Sequence, residues 1–269
     1  IWNSHDTRDP KIFWYTSGNH WVMVLNERDG HSIYTSPDLK SWKYESHVTG
    51  FWECPELFEL AVDGNPNNKK WVMYGATGTY MLGSFDGKTF IPESGKYFYT
   101  KGSLYAGQTY TNIPNSDGRR IQIAWGRISH PSMPFNGMML LPTELTLHTT
   151  KEGIRLFSNP IKETKQLFTP LKKWASLTSG KANDHLKEFR NAETLRIKTT
   201  FKLSHATSAG IDLFGQRILD YDMNANTINS VFYSPEDRNS MELTADIYID
   251  KTSIEVFIDG GIYSYSMGR

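Results

Sequence analysis

Apolar and polar residues in the first half of the chain alternate in a long repeat. Each of two copies opens on a Pro-led apolar strand, continues into a Trp-Val-Met strand and ends at a Ser-x-Asp turn. The matching segments are residues 10–13, 21–24 and 36–38 in the first copy and 55–58, 71–74 and 84–86 in the second. They recur at roughly 45 to 50 residues, which is the length of a four-stranded β-propeller blade. The pattern therefore predicts successive blades, each opening on its innermost strand.

A third unit is predicted over residues 103–146. Its expected strands are residues 104–110, 120–125, 137–142 and 144–148, and a further strand at 153–157 closes the region. Only about three blades are visible, whereas propellers have at least about four. Either blades are missing from this chain or the ring is completed in some other way.

The pattern changes after residue 160. Residues 161–167 favour a short helical connector. Short alternating strands follow, separated by turn residues, at 194–203, 209–214, 230–233, 241–250 and 253–261. This spacing is typical of a β-sandwich. The sequence thus predicts an all-β chain with a partial propeller domain at 1–160, a linker at 161–180 and a sandwich, itself possibly cut short, at 181–269.

Two carboxylates occupy matching positions in the first two copies. Asp9 precedes the proline that opens the first copy, and Glu53 lies two residues before the proline of the second. Innermost strands of adjacent blades converge on the central channel, so the two side chains are expected to meet although they are far apart in the chain. The alternative is that both are solvated turn residues, which two equivalent acids in a repeat make the less favoured interpretation.

Composition limits the classes of partner. Lys plus Arg (29) equals Asp plus Glu (29), so nothing indicates a nucleic-acid or acidic-membrane partner, and no run is long and apolar enough for a membrane span. Aromatic residues make up 13% of the chain. Their rings stack on sugar faces, which favours a neutral carbohydrate partner, although β-rich folds also use many aromatics for packing. Four of the aromatic residues are expected to be core: Trp14, Trp21, Phe58 and Trp71.

Other chemistries find little support in the sequence. The histidines show no spacing typical of metal ligands, and there is neither a Gly-rich phosphate loop nor a Gly-x-Ser-x-Gly motif. We therefore predict no metal and no cofactor. Cys54 is the only cysteine, so an internal disulfide is excluded. Its expected role is that of a small buried hydrophobe rather than a nucleophile.

Four segments together resemble glycoside hydrolase family 32, the invertases, levanases, inulinases and related fructosidases. These segments are residues 8–14 (RDPKIFW), 52–58 (WECPELF), 105–110 (YAGQTY) and 253–261 (SIEVFIDGG). The resemblance covers essentially the whole chain, in order. It implies a five-bladed β-propeller followed by a β-sandwich, and cleavage of the β-fructosidic bonds of sucrose or fructans with retention of configuration. It also implies an exported protein.

The resemblance assigns roles that fit the chemistry of the residues. Glu53 becomes the general acid/base, and Asp9 the stabiliser of the oxocarbenium-like transition state. The apolar neighbours of Glu53 are expected to favour its protonated form, and Arg8 is expected to keep Asp9 ionised. The residues expected to line the substrate pocket are Arg8, Cys54, Tyr105, Gln108 and Trp125. For Tyr105, Gln108 and Trp125 the alternative is a packing or strand-pairing role.

One element of the family pattern is not in the sequence. The nucleophile of the family lies in an Asn-Asp-Pro-Asn motif, which this chain does not contain, and Asp6 stands in a context that does not match it. Three hypotheses therefore stay open: a β-fructosidase, a non-catalytic fructan-binding or structural module, and a fructosyltransferase. The same residues serve the first and the third, which differ in whether water or a sugar accepts the fructosyl group.

Overall fold

The computed structural model describes residues 6–203, 206–232 and 242–269, and strands dominate it, so the all-β prediction is confirmed. The two sequence copies are both four-stranded antiparallel meanders. The first unit contains β1 (Arg8–Tyr15), β2 (His20–Glu27), β3 (Gly30–Ser36) and β4 (Lys43–Thr49). The second unit contains β5 (Glu56–Val62), β6 (Asn65–Tyr74), β7 (Thr79–Phe85) and β8 (Phe90–Phe98). A 3-10 turn at Thr16–Gly18 connects β1 to β2.

A third unit follows the short strand β9 (Thr100–Gly102). It contains β10 (Leu104–Thr109), β11 (Arg120–Gly126), β12 (Met138–Met139), β13 (Thr143–Thr150) and β14 (Gly153–Pro160). The strand predicted at 137–142 is wrong in extent, because only the two residues of β12 pair with β11. Gly137 has a φ of 77° and Pro142 has no amide hydrogen, so regular pairing is limited to Met138 and Met139, with one further bond from the Leu140 amide to the carbonyl of Ala124 at 2.9 Å. The outer strands are therefore β13 and β14.

Neighbouring units pack against each other through apolar clusters. The cluster between the first and second units includes Val22, Val24, Ile33, Leu57 and Met73. The cluster between the second and third includes Phe58, Val72, Tyr74, Leu145 and Leu156. In addition, β13 pairs in parallel with β5 at Leu147 and Val62. None of the sheets formed by the described strands closes on itself.

One aromatic residue expected in the core lies at the surface. Phe58 is 3% exposed, whereas Trp14 is 41% exposed and meets Trp21 edge to face, at 5.2 Å between ring centroids. Trp14 points to the open face of β1, together with Ile12. The interpretation of Trp14 as core is therefore wrong, because alternate residues of β1 face away from the second unit.

The connector begins with a 3-10 helix at Lys162–Leu167, which confirms the predicted short helical segment. An α-helix, α1 (Ser179–Leu186), follows and is continued by a 3-10 turn at Lys187–Phe189. The hydroxyl of Thr178 caps α1 by accepting from the amide of Lys181. Polar residues occupy most of α1, so no apolar periodicity predicts it.

The C-terminal residues form two sheets. Their strands are β15 (Leu195–Lys202), β16 (Ser208–Leu213), β17 (Gln216–Asp222), β18 (Thr227–Ile228), β19 (Val231–Phe232), β20 (Glu242–Ile249), β21 (Ser253–Ile258) and β22 (Tyr263–Gly268), with a 3-10 turn at Asp259–Gly261. One sheet has the order β15-β20-β21-β22-β9, and the other β16-β17-β18-β19. Buried residues of both sheets, among them Ile218, Leu219, Ile247 and Val256, form one apolar cluster. The sequence missed β17, β18 and β22, and its expected strand residues Tyr233 and Met241 lie outside the described residues.

Candidate active site

A residue in the left-handed region lies on or just before the opening strand of each unit. Asp9 has a φ of 57°, Glu53 a φ of 48° and Ala106 a φ of 52°. The strand register shifts at the first and third of these sites, between Arg8 and Lys11 in β1 and between Tyr105 and Gln108 in β10. Such bulges redirect a side chain, and left-handed non-glycine residues cluster at functional sites. The repeat therefore supplies the same backbone device three times.

The first two of these residues meet in space. The Cys54 amide donates to Oδ2 of Asp9 at 3.1 Å, and Nη1 of Arg8 donates to Oε1 of Glu53 at 3.0 Å. Each acid is thus bonded to the chain neighbour of the other. The structure brings Arg8, Asp9, Glu53 and Cys54 into one cluster, as expected from the converging inner strands.

Glu53 lies in a polar rather than an apolar setting. Its side chain is 18% exposed and accepts from Arg8 and from the Tyr105 hydroxyl. The same guanidinium donates to Asp6 at 2.9 Å. The expected apolar surroundings of Glu53 are therefore wrong: it lies in a left-handed bend before β5, where sequence neighbours need not share an environment. Arg8, expected to act on Asp9, places its charge on Glu53.

Tyr105 is held as a hydrogen-bond donor. Burial raises the pKa of Tyr105 to about 12, and the neighbouring Glu53 carboxylate adds to the rise. The guanidinium of Arg127, 4.1 Å from the ring centroid, acts in the opposite direction. Trp125 pairs with Tyr105 across β10 and β11, with the rings edge to face and the Trp125 side chain 45% exposed. The phenol thus stays protonated beside an accessible aromatic surface.

Cys54 and Gln108 take lesser places. Burial raises the pKa of the Cys54 thiol to about 12, with a further contribution from Asp9. The protonated thiol donates to Asp9 at 3.6 Å, so it is a poor nucleophile. The Gln108 amide donates to the carbonyl of Gly107 at 3.5 Å, and no hydrogen bond in the described part of the chain joins it to the cluster.

The sequence reasoning missed a buried network beneath the cluster. Glu56 is fully buried and pairs with Lys11 at 2.7 Å, while the amide and hydroxyl of Thr109 donate to the same carboxylate at 2.9 and 2.7 Å. Lys11, Glu56 and Thr109 lie on the opening strands of the three units, so one carboxylate joins all three. The sequence signal for this network was the position of its two charged residues: Lys11 lies two residues after Asp9, and Glu56 lies three residues after Glu53.

Asn26 is a second residue that the sequence did not single out. It is fully buried at the end of β2, and its Oδ1 accepts from the Glu53 amide at 2.7 Å. Its only sequence signal is a polar residue that ends an apolar run.

Among the residues the structure describes, no group of three or more His, Cys, Asp or Glu side chains could hold a metal ion. In the same part of the chain, no helix combines the length and apolar character that crossing a membrane requires.

Three comparisons with known proteins agree. Residues 2–160 match the model of the glycosyl hydrolases family 32 N-terminal domain. The chain is 32% identical over 307 residues to a levanase of Bacillus subtilis (strain 168), covering 95% of this chain and 45% of the levanase. It is 28% identical over 313 residues to an extracellular exo-inulinase of Aspergillus niger (strain ATCC MYA-4892 / CBS 513.88 / FGSC A1513), covering 93% of this chain and 57% of that protein.

A crystal structure of exo-inulinase from Aspergillus awamori matches 98% of the chain and 62% of its own length, with a TM-score of 0.76. At 22% identity this likeness shows the fold alone. The chain spans about half the length of the curated relatives that it matches.

Proposed function

The chain belongs to glycosyl hydrolase family 32, and on that premise we propose that it is a retaining β-fructosidase that hydrolyses terminal or internal β-fructosidic bonds of sucrose or fructans. The relatives named levanase and exo-inulinase support this class of bond. The chain spans only part of the length of these relatives, so the activity of the whole protein is itself a proposal.

The observation that carries the proposal is the environment of the Glu53 carboxylate, to which two side chains donate. It accepts hydrogen bonds from Arg8 and Tyr105 and lies beside the segment that bonds to Asp9. In the proposed mechanism Glu53 donates its proton to the leaving oxygen as the fructosidic bond breaks, then takes a proton from the attacking water. Arg8 and Tyr105 hold the carboxyl group in place between the two steps.

Asp9 is proposed to accept hydrogen bonds from the fructosyl hydroxyl groups. A carboxylate so placed binds most strongly when the ring flattens and carries positive charge, so it lowers the barrier more than it strengthens ground-state binding. Retention requires a second carboxylate about 5 Å from the acid on the opposite face of the sugar. We assign that nucleophile to no residue of this chain.

The sugar is proposed to lie against accessible aromatic rings. Trp52 and Trp125 are 41% and 45% exposed and flank Glu53 and Tyr105 along the chain and across the sheet. Tyr105, Arg8 and Cys54 complete the pocket, and Gln108 is placed at its border. Rings of this kind offer apolar surface to a neutral substrate without demanding charge.

The proposed architecture is a five-bladed propeller followed by a β-sandwich. The two four-stranded units and the third unit of β10 to β14, within 1–160, support the first part, and the two C-terminal sheets with a common core support the second at 181–269. Residues 161–180 are proposed as the linker. The site then lies at the channel end of the opening strands, where the units converge.

Substitution of the proposed acid tests the function. We expect the protein to release fructose from sucrose, levan or inulin, and Glu53→Gln to reduce kcat by roughly 100-fold to 10,000-fold, because the amide cannot supply a proton. Glu59→Gln is the matched control, since this exposed glutamate of β5 pairs with Lys69 on the surface. Fructose release is measured by chromatography alongside binding of the same sugars.

Each alternative has its own outcome in the same experiment. Binding without release by the folded wild-type protein would overturn the proposal in favour of a fructan-binding module. Transfer of fructosyl groups to sucrose, seen as longer oligosaccharides in place of free fructose, would favour a fructosyltransferase. Unchanged turnover in Glu53→Gln would remove Glu53 from the mechanism.

A further inference from the structure

The backbone that carries Glu53 adopts a conformation that needs support. Glu53 and Cys54 are consecutive left-handed residues, with φ values of 48° and 44°. Side chains with a Cβ disfavour this region, so two such residues in sequence persist only where surrounding contacts fix them. The aim of the Glu53 side chain therefore depends on whatever holds this turn.

The polar groups of the turn have specific partners. The amide of Ala76 donates to the carbonyls of Trp52 and Glu53 at 2.9 and 3.1 Å, and Asp9 accepts from the Cys54 amide. The Glu53 amide donates to Oδ1 of Asn26 at 2.7 Å. Among the described residues, the side chains that accept from the backbone amides of this turn are Asp9, which already belongs to the proposed site, and Asn26.

The carboxamide of Asn26 reaches two segments at once. While its oxygen accepts from Glu53, its Nδ2 donates to the carbonyl of Asp6 at 2.9 Å. Asp6 and Glu53 both accept from the guanidinium of Arg8. Asn26 thus fixes the backbone of both carboxylates whose side chains Arg8 joins, and its two bonds determine which way the amide faces.

Register explains why these groups coincide. Arg8 pairs with Asn26 across β1 and β2, and Asn26 pairs with His31 across β2 and β3. Paired residues of an antiparallel sheet share a face, so the three form a row that faces the turn. The His31 ring stacks on Phe51 at 5.4 Å, and burial lowers the pKa of His31 to about 3, so the ring is neutral. The row combines a cation, a carboxamide and a neutral ring.

We propose that Asn26 is a positioning residue for Glu53: its carboxamide holds the left-handed turn so that the carboxyl group points at the bond to be cleaved. The consequence for catalysis rests on the proposed function, whereas the clamp itself does not. The residue acts through the Glu53 backbone and contacts no substrate.

Hydrogen exchange tests the clamp without any substrate. In Asn26→Leu, which removes both hydrogen bonds at similar volume, the Glu53 amide should exchange on the order of tenfold faster. Asn26→Asp keeps an acceptor for this amide and should retain its protection, which keeps the test open should Asn26→Leu fold poorly. Unchanged protection of Glu53 in folded Asn26→Leu, or lost protection in Asn26→Asp, would overturn the proposal.

Kinetics test the consequence. Asn26→Leu should reduce kcat about 100-fold, the scale expected of a displaced catalytic group, with KM within about twofold. Asn26→Asp should recover much of kcat, and its negative charge near Glu53 should move the basic limb of the pH–rate profile to higher pH. If Asn26 served stability alone, kcat per folded molecule would instead be unchanged in Asn26→Leu.

A second asparagine provides the matched control. Asn229, in the turn between β18 and β19, also accepts from a backbone amide, that of Asp220 at 2.9 Å, and donates to a carbonyl, that of Ile218 at 3.4 Å. Asn229→Leu should leave Glu53 protection and the pH profile unchanged. An equal loss of kcat in Asn229→Leu would overturn the positioning role. If the wild-type protein released no fructose, the proposed function would be refuted. The hydrogen-exchange result would still test whether the Asn26 carboxamide holds the Glu53 turn.

Discussion

Glu56 and Glu255 are both buried glutamates on strands, but they are compensated in different ways. Glu56 accepts from a lysine ammonium, a backbone amide and a hydroxyl, all three from the other two units. Glu255, on β21, lies between the third unit and the C-terminal sheets, where its described donor is the Leu141 amide at 3.1 and 3.2 Å. Glu56 has a counter-ion, Lys11, whereas the described donor of Glu255 is a backbone amide.

The difference shows how readily each buried glutamate can lose its charge. Burial raises the pKa of Glu255 to about 7, the Leu141 amide opposes the rise and Asp250 adds to it. A buried charge without a counter-ion gives up its charge more readily than one that is paired. The centre of the three units is therefore held by an ion pair, whereas the junction with the C-terminal sheets is held by a group that titrates.

Removing the counter-ion should have the largest effect. Lys11→Met leaves the Glu56 carboxylate buried without its cation, and we expect the free energy of unfolding to fall by about 3–5 kcal/mol. Urea unfolding measures the loss. Lys69→Met, which removes an exposed pair with Glu59, is the control and should cost less than about 1 kcal/mol. Equal losses in the two variants would show that burial of the Glu56 pair does not matter.

The pH dependence of stability should reveal the titration of Glu255. Folding raises the pKa of Glu255 from 4.5 to about 7, so between these values the folded state binds more protons than the unfolded state. The stability that this group contributes is full below pH 4.5 and falls by about 3 kcal/mol as the pH rises to 7. Relative to the wild type, Glu255→Gln should lack this fall.

The measurement is urea unfolding of both proteins from pH 4.5 to pH 8. Glu255→Gln should gain on the wild type as pH rises, whereas Glu152→Gln at an exposed position should follow it throughout. Parallel curves for the wild type and Glu255→Gln would contradict a titrating group at the junction.

The smallest expected effect comes from two serines in the cavity beside Glu255, one with a hydrogen-bond partner and one without a partner among the described residues. Ser266 and Ser158 both line it, but Ser158 donates to Thr143 at 2.9 Å, whereas the buried hydroxyl of Ser266 has no partner among the described residues. Ser158→Ala should cost about 1 kcal/mol, and Ser266→Ala should be neutral or slightly stabilising. Thermal unfolding compares them; a loss in Ser266→Ala as large as in Ser158→Ala would refute the distinction.

Much of the fold could be predicted because its pattern is local and repeated. Alternating apolar residues and turn signals mark the first two units, and the strands of both become four-stranded meanders. The exceptions have physical reasons. β12 is bounded by Gly137 and Pro142, α1 is almost wholly polar, and β22 alternates tyrosines and serines, of which Tyr263 and Tyr265 pack in the C-terminal cluster.

The proximity of Asp9 to Glu53 could be predicted, but the hydrogen bonds around them could not. Repeat position alone brought Asp9 and Glu53 together, since inner strands converge. Chain neighbourhood does not display the bond from the Arg8 guanidinium, beside the bulge in β1, to Glu53. Asn26 acts from another strand through register, a relation that no spacing along a single sequence displays.

The parallel pairing of β9 with β22 ties the end of the described chain to residues that precede the third unit. Thr100, Lys101 and Gly102 face Ser264, Tyr265 and Ser266 across this seam. A cut at residue 160 would strip β22 of its neighbour and leave a bare sheet edge open to pairing with other molecules. A chimera that takes its C-terminal sheets from a relative must therefore also keep the three residues of β9 compatible with the new β22, in addition to joining the chains at a suitable point.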